Sequence, residues 1–307
     1  PKDSLLIIES DHHIKIINKK LVNKLKLNDT IEISKDCNPA RLILKANEET
    51  KVLAVTENGK IGLVQWEFSS SKQNIVNYLL PSGLEKEEVI SFVPLAKEKN
   101  SSLALLTSDG RFKRLSLEEI IDLSNRASSV LKLKPNVLVK SALLCKEKEE
   151  ILIITNIGRI LKLRINENDF PLMGKLAQGP LIINLFPEEE VTNAITINSD
   201  VDKNISLVTK EGNIVKYDIN SIRNSNKGDL GWMYTTTNKN YFINQRFIYC
   251  YKSNNAIILK TNKNRKGKLS ETLLNTYKNK EIIKNLISLE KNESILKIFP
   301  VIKDIDL

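Results

Sequence analysis

A chain of 307 residues with 41 % hydrophobic side chains can bury a substantial core, which excludes wholesale disorder. Lys and Arg total 47 against 37 Asp and Glu, and the surplus of +10 fits an acidic partner, nucleic acid before anionic membrane, or a solvated lysine-rich surface. Three scattered cysteines (Cys37, Cys145, Cys250) make no disulfide framework, His12 and His13 have no ligand partner at zinc spacing, and no apolar run reaches the ~18–20 residues of a membrane helix.

In chain order, LLIIESDHHIKI (5–16) reads as two apolar strands around a turn with His12 at its pivot, and ARLILKA (40–46) as a lone strand. VLAVTENGKIGL (52–63) is a clearer hairpin, an apolar run ending in Thr56, two variable residues, Gly59, then an alternating strand. The lone strand EEVISFVPLA (87–96) precedes a second hairpin, LALLTSDGRFKR (103–114), which turns on Gly110. LSLEEIIDLSNRASSVLKL (115–133) predicts one or two helical turns, and NVLVKSALLC (136–145) another strand. Hairpins on Gly158 (151–162) and Gly212 (205–216) flank the strand EEVTNAITI (189–197). FIYCYKSNNAIIL (247–259) aligns as a sixth hairpin with Asn255 in the glycine position, because Asn tolerates positive φ. LSETLLNTYKNKEIIKNLISL (269–289) predicts a longer helix, and ESILKIFPVI (293–302) a final strand.

These elements form one domain over 1–307, a β unit of about fifty residues repeated about six times. The chain starts with the first half of a unit and ends with the second half of one. A final strand packed beside the N-terminal hairpin would then seal a ring and leave no sheet edge exposed. No phosphate loop, G-x-S-x-G or paired His–carboxylate arrangement occurs, so the chain is expected to bind rather than catalyse, without cofactor or metal. No signal-like segment opens the sequence, and the expected compartment is the cytoplasm, near the nucleoid.

The phrase T-x-x-G-[basic]-[apolar]-x-[basic], seen in TSDGRFKRLSLEEI (107–120) and TNIGRILKLRI (155–165), resembles the C-terminal domain of the A subunit of bacterial type IIA topoisomerases, DNA gyrase and topoisomerase IV. QGPLIINLFPEEEVTNAI (178–195) is similar to that family's link between units. The resemblance implies an all-β fold, a six-bladed β-pinwheel: a propeller-like closed disc of units centred on His12, Gly59, Gly110, Gly158, Gly212 and Asn255. It also implies a non-catalytic role, in which a basic rim binds and bends double-stranded DNA for a breakage-reunion domain that works with an ATPase B subunit. No membrane partner is expected. The rim candidates are Lys60, Arg111, Lys113, Arg114, Arg159, Lys162, Arg164, Lys216, Arg265, Lys266 and Lys268. The gyrase box Q-R-R-G-G-[KR]-G is absent, and its nearest counterpart is Asn264–Arg265–Lys266–Gly267–Lys268, in the last unit. That departure favours a topoisomerase IV-like or divergent member. The competing reading of the same repeats is a propeller-like protein-interaction scaffold whose basic charge is incidental. Aromatic residues are 6 % of the chain and Trp66 and Trp232 stand apart, which argues against a stacking platform for single strands.

Overall fold

The structure, a computed structural model, describes residues 3–24, 33–72, 74–95, 100–233 and 246–303. Six apolar runs, Ser4–Glu9, Val52–Thr56, Ser101–Thr107, Glu150–Thr155, Asn204–Thr209 and Ile257–Thr261, are strands buried on both faces, which is why they read as unbroken rather than alternating. Each pairs with the second strand of its hairpin on one side and with a later strand on the other. Ser101–Thr107, for instance, lies between Phe112–Ser116 and Val139–Lys146. The described strands make six separate sheets of three or four strands, and none of them closes on itself. The core fills the gaps between successive sheets. In Glu150–Thr155, Ile151 and Ile153 pack with Ala104, Leu106 and Phe112 of the preceding sheet, while Leu152 and Ile154 pack with Ile205 and Leu207 of the following one. Each fully buried Leu or Ile contributes about 1.5–3 kcal/mol.

The turns explain the T-x-x-G phrase. The Thr hydroxyl accepts the backbone N–H of the residue after the turn pivot in five hairpins: Thr56 from Lys60, Thr107 from Arg111, Thr155 from Arg159, Thr209 from Asn213 and Thr261 from Arg265, at 3.0–3.4 Å. The pivot takes positive φ, from +79° to +91° at Gly59, Gly110, Gly158 and Gly212. The last hairpin turns on Asn264 (φ 58°), joining Ile257–Thr261 to Lys266–Leu269, and not on Asn255. Asn255 instead follows Phe247–Lys252, which pairs with Asn204–Thr209 as the third strand of the fifth sheet. Either Asn suits a turn, and only strand pairing separates them.

His12 occupies the pivot of the first hairpin at φ 72°. Its Nδ1–H donates to Asn77 Oδ1 (3.0 Å) and its ring meets Phe92 edge-on at 5.9 Å. Burial holds its pKa below the usual 6.5. The fold therefore favours neutral His12, and the stability this gives is complete above about pH 6.5 and is lost as pH falls below it. Thermal denaturation is expected to show a larger drop in Tm between about pH 7 and pH 5 for the wild type than for His12→Gln.

After each hairpin the chain returns to the outer edge of the preceding sheet. Ser128–Ser129 pairs with Lys60 and Ile61, Trp232–Met233 with Arg159 and Ile160, and Ile282–Ile283 with Ile214 and Val215. Single bridges repeat the move: Ile75 to His13, Leu181 to Arg111, and Ser34, from the first unit, to Lys266 in the last. Ile302–Lys303 also pairs, in parallel, with Ala40–Lys45 of the first sheet, while Ile295–Pro300 stays in the last sheet beside Ile257–Thr261. The exchange depends on close approach. At Gly231 (φ +80°) a Cβ would stand 2.6 Å from the Ile160 carbonyl oxygen, so Gly231→Ala is expected to lose about 1–3 kcal/mol in urea denaturation by prising Trp232–Met233 from its neighbour.

The helix predicted over 115–133 is a single turn, Leu117–Ile121, capped by Ser116 and followed by the exchanged Ser128–Ser129. The helix predicted over 269–289 does not form. Lys280 and Asn285 have positive φ, and between them Ile282–Ile283 is extended to reach the fifth sheet. Leu274, Ile283 and Ile287 from this stretch are buried between the last two sheets instead. No helix among the described residues is long and apolar enough to cross a membrane.

The innermost strands are stitched sideways. Ser91 Oγ donates to the Ala142 carbonyl and Ser141 Oγ to the Ala194 carbonyl (3.3 Å each), while Asn193 exchanges two bonds with the Cys250 backbone, at 2.8 and 3.0 Å. These side chains sit one position past the register shift of their strand, so one local irregularity places a donor toward the next sheet three times over. The strands line a cavity of about 380 Å³.

Candidate nucleic-acid interface

The cations of the hairpin phrase point into the protein. Lys113, Arg114, Arg159, Lys162, Lys216 and Lys268 are between 1 % and 8 % exposed. Arg159 Nε donates to both carboxylate oxygens of Glu189 (3.1 Å each), its Nη1 to the Leu230 carbonyl (3.1 Å) and its Nη2 to the Asn184 carbonyl (2.7 Å). Its guanidinium also lies 4.6 Å from the centre of the Phe186 ring. Arg114 bonds the Phe170 carbonyl (2.7 Å) and Glu147 (3.1 Å), and Lys216 the Leu274 carbonyl (3.0 Å). Lys162 stands 3.8 Å from Glu150. Lys113 donates to the carbonyls of Val130 and Lys175, both at 2.6 Å, and desolvation lowers its pKa to about 8.

These contacts follow a rule. The residue after the pivot grips the exchanged segment of the next unit: Arg111 bonds Gly179, Arg159 bonds Leu230 and Arg265 bonds Ile33, each through a carbonyl. A glutamate just before the inner strand answers the charge, as Lys60–Glu87 (2.9 Å), Arg159–Glu189 and Arg265–Glu293 (2.8 Å). Glu189 lies in the acidic run 188–190, so one carboxylate of that run faces a buried arginine rather than water. The six buried cations are bound to protein groups and do not reach the surface as a phosphate site would require. This corrects their expected place on a rim. Lys60, Arg111, Arg265 and Lys266 are partly exposed, and Arg164 is exposed.

Exposed cations do occur on the linking segments that run along the outer sheet edges, though not there alone: Lys15, Lys45, Lys51, Lys146, Lys148, Lys203, Lys210 and Lys297 are exposed on or beside the strands. On the linkers, Lys19, Lys20, Lys35, Lys72, Arg126, Lys132, Lys134, Arg223, Lys227, Lys278 and Lys280 are all exposed. Many of the linkers' carboxylates gather at 85–88, 188–190 and 290–293, close to the inner strands. The hairpin phrase draws attention from these cations, which share no motif. Their only signal is that Lys and Arg recur in the stretch after each hairpin. A further residue without a motif is Arg41, 4 % exposed, whose guanidinium lies 5.0 Å from the Phe92 ring centre and 4.0 Å from that of Phe299. It ties the first sheet to the second and the last.

Residues 101–146, 149–198 and 203–241 match the family model described as the DNA gyrase C-terminal domain, beta-propeller. The gyrase A protein of Ureaplasma parvum serovar 3 (strain ATCC 700970) is 27 % identical over 196 residues, which are 62 % of this chain and 22 % of that protein. The chain thus matches under a quarter of that relative's length. Among solved structures, the C-terminal domain of DNA topoisomerase IV superposes with a TM-score of 0.73 at 16 % identity, covering 97 % of this chain and 93 % of that one. The DNA gyrase A C-terminal domain gives 0.69 at 15 % identity, covering 97 % and 99 %. Fold and repeats together define a β-propeller-like, all-β repeat domain. Three of its repeats match the DNA gyrase A C-terminal domain model, and its fold resembles the C-terminal domains of DNA gyrase A and topoisomerase IV.

Proposed function

We propose that the domain binds duplex DNA along the outer edge of a closed, six-bladed pinwheel disc and presents it, bent, to a breakage-reunion domain that acts with an ATPase B subunit. The disc is supported by the regular return of each linker to the preceding sheet, including Ser34 of the first unit on Lys266 of the last. The observation that carries the DNA reading is the row of exposed cations on those linkers. Lys and Arg on a convex edge neutralise phosphates and release counterions, giving affinity that tolerates any sequence. The buried cations serve the same end indirectly, by holding the edge segments in place. Chemistry would reside elsewhere in the polypeptide, and the domain needs no cofactor. The setting is the cytoplasmic nucleoid.

The test is fluorescence anisotropy with a labelled duplex at rising salt, on the wild type and on a variant carrying Arg126→Glu, Lys132→Glu, Arg223→Glu and Lys227→Glu. The expected result is steeply salt-dependent binding, weaker and with a shallower salt slope in the variant. Wild-type binding that ignores salt, or a variant that binds equally well, overturns the reading.

A further inference from the structure

Leu176 is 69 % exposed at the tip of the turn 174–177, which closes through the Ala177 N–H on the Gly174 carbonyl (3.2 Å). A single exposed leucine is ordinary. This one stands on a braced support. Lys113 holds the Lys175 carbonyl from below (2.6 Å), Gln178 Nε2 reaches the Lys132 carbonyl (3.3 Å), and Arg111 holds the Gly179 carbonyl (2.8 Å). Gly179 lies so near the Phe112 backbone that a Cβ there would stand 2.5 Å from its oxygen. Burying a lysine costs free energy unless its donors are used, and Lys113 spends two of them tying this turn to the Val130 segment. The tip is therefore in position before any partner arrives.

Its surroundings are cationic. Lys175 is adjacent, and Lys132 and Lys134 border the same crevice as Gln178 and Gly179. The nearby carboxylates are engaged: Glu167 with Arg114 (3.5 Å) and the Leu172 N–H (3.2 Å), Asp169 with Asn166 (3.1 Å), and Asp109, which borders the same crevice, with the Thr107 hydroxyl (2.5 Å). An apolar tip among cations complements a polyanion whose apolar interior opens between stacked bases. Building on the DNA reading above, we propose that Leu176 is a wedge that enters a base step of the bound duplex and sets where it kinks. Apolar side chains inserted this way bend DNA by about 20–90°. Pyrimidine–purine steps unstack most cheaply, so one leucine would give step preference to a surface that otherwise reads only charge.

The experiment uses end-labelled duplexes for energy transfer, with 2-aminopurine placed at a central TA step, and compares the wild type with Leu176→Ala. Phosphate contacts carry the affinity, so the variant is expected to bind within about three-fold of wild type. Its bend should be smaller and the 2-aminopurine signal on binding should disappear. An unchanged bend and unstacking signal in Leu176→Ala overturns the wedge alone, and loss of binding to a topoisomerase breakage-reunion fragment with unchanged DNA bending would reassign the leucine to a protein contact. Failure of the wild type to bind duplex at low salt overturns the wedge and the DNA reading together.

Discussion

Arg159→Ala is expected to destabilise the domain by about 3–5 kcal/mol in denaturant unfolding, among the largest losses of any single substitution here. Arg159 and Glu189 have side chains 1 % and 0 % exposed. Removing the guanidinium strands the carboxylate in the core and frees the carbonyls of Asn184 and Leu230. The pair itself need not be strongly stabilising, because desolvating two charges offsets much of their attraction. Arg159→Met with Glu189→Met is therefore expected to recover most of the loss. Lysine is a poor substitute, since it cannot present the fork that meets both oxygens and two carbonyls. Folded Arg159→Ala protein should keep its duplex affinity. Wild-type stability with weakened DNA binding would show instead that this guanidinium reaches the phosphates.

Duplex affinity is expected to fall by about 10³–10⁵ between 50 and 200 mM salt, if about six to ten phosphates are neutralised. Bending a site of about 20–30 base pairs by 40–90° costs about 1–6 kcal/mol, so the contacts must be spread along the edge rather than gathered at one blade. Cations on the linkers of several units, from Lys19 to Lys280, supply that spread. A slope worth only one or two phosphates would mean that the duplex touches a single linker, and the edge-wide path would fail even if binding itself survived.

Much of the fold can be read from residues whose conformation leaves little choice. Gly59, Gly110, Gly158 and Gly212 sit at positive φ after an apolar run, and only a hairpin accounts for both. The last unit is misplaced in sequence because two asparagines compete for one pivot and the tyrosine-rich strand before Asn255 has the apolar character of a hairpin arm. The exchanged strands are invisible for a different reason. Ser128–Ser129, Trp232–Met233 and Ile282–Ile283 are too short to show a period, and their partners lie a whole unit away. The candidate site is the least legible part. A basic residue at a fixed offset from a turn looks the same in sequence whether it faces water or, like Arg159, a buried glutamate and two carbonyls. Burial depends on a segment from the next unit, and no local pattern encodes it.

The linker exchange makes each unit's opening felt by both of its neighbours. Opening one unit withdraws the outermost pairing of the unit before it, and also takes away the edge on which the linker of the unit after it pairs, as Ile282–Ile283 does on Ile214 and Val215. When the hairpin on Gly212 and its linker open, Trp232–Met233 leaves Arg159 and Ile160, and the grip of Arg159 on Leu230 goes with it. Damage therefore passes to both neighbours, as a bared outer strand in the predecessor and a released linker in the successor. Hydrogen exchange should show that coupling: destabilising one hairpin would expose amides in its predecessor's second strand and in its successor's linker, while more distant units stay protected.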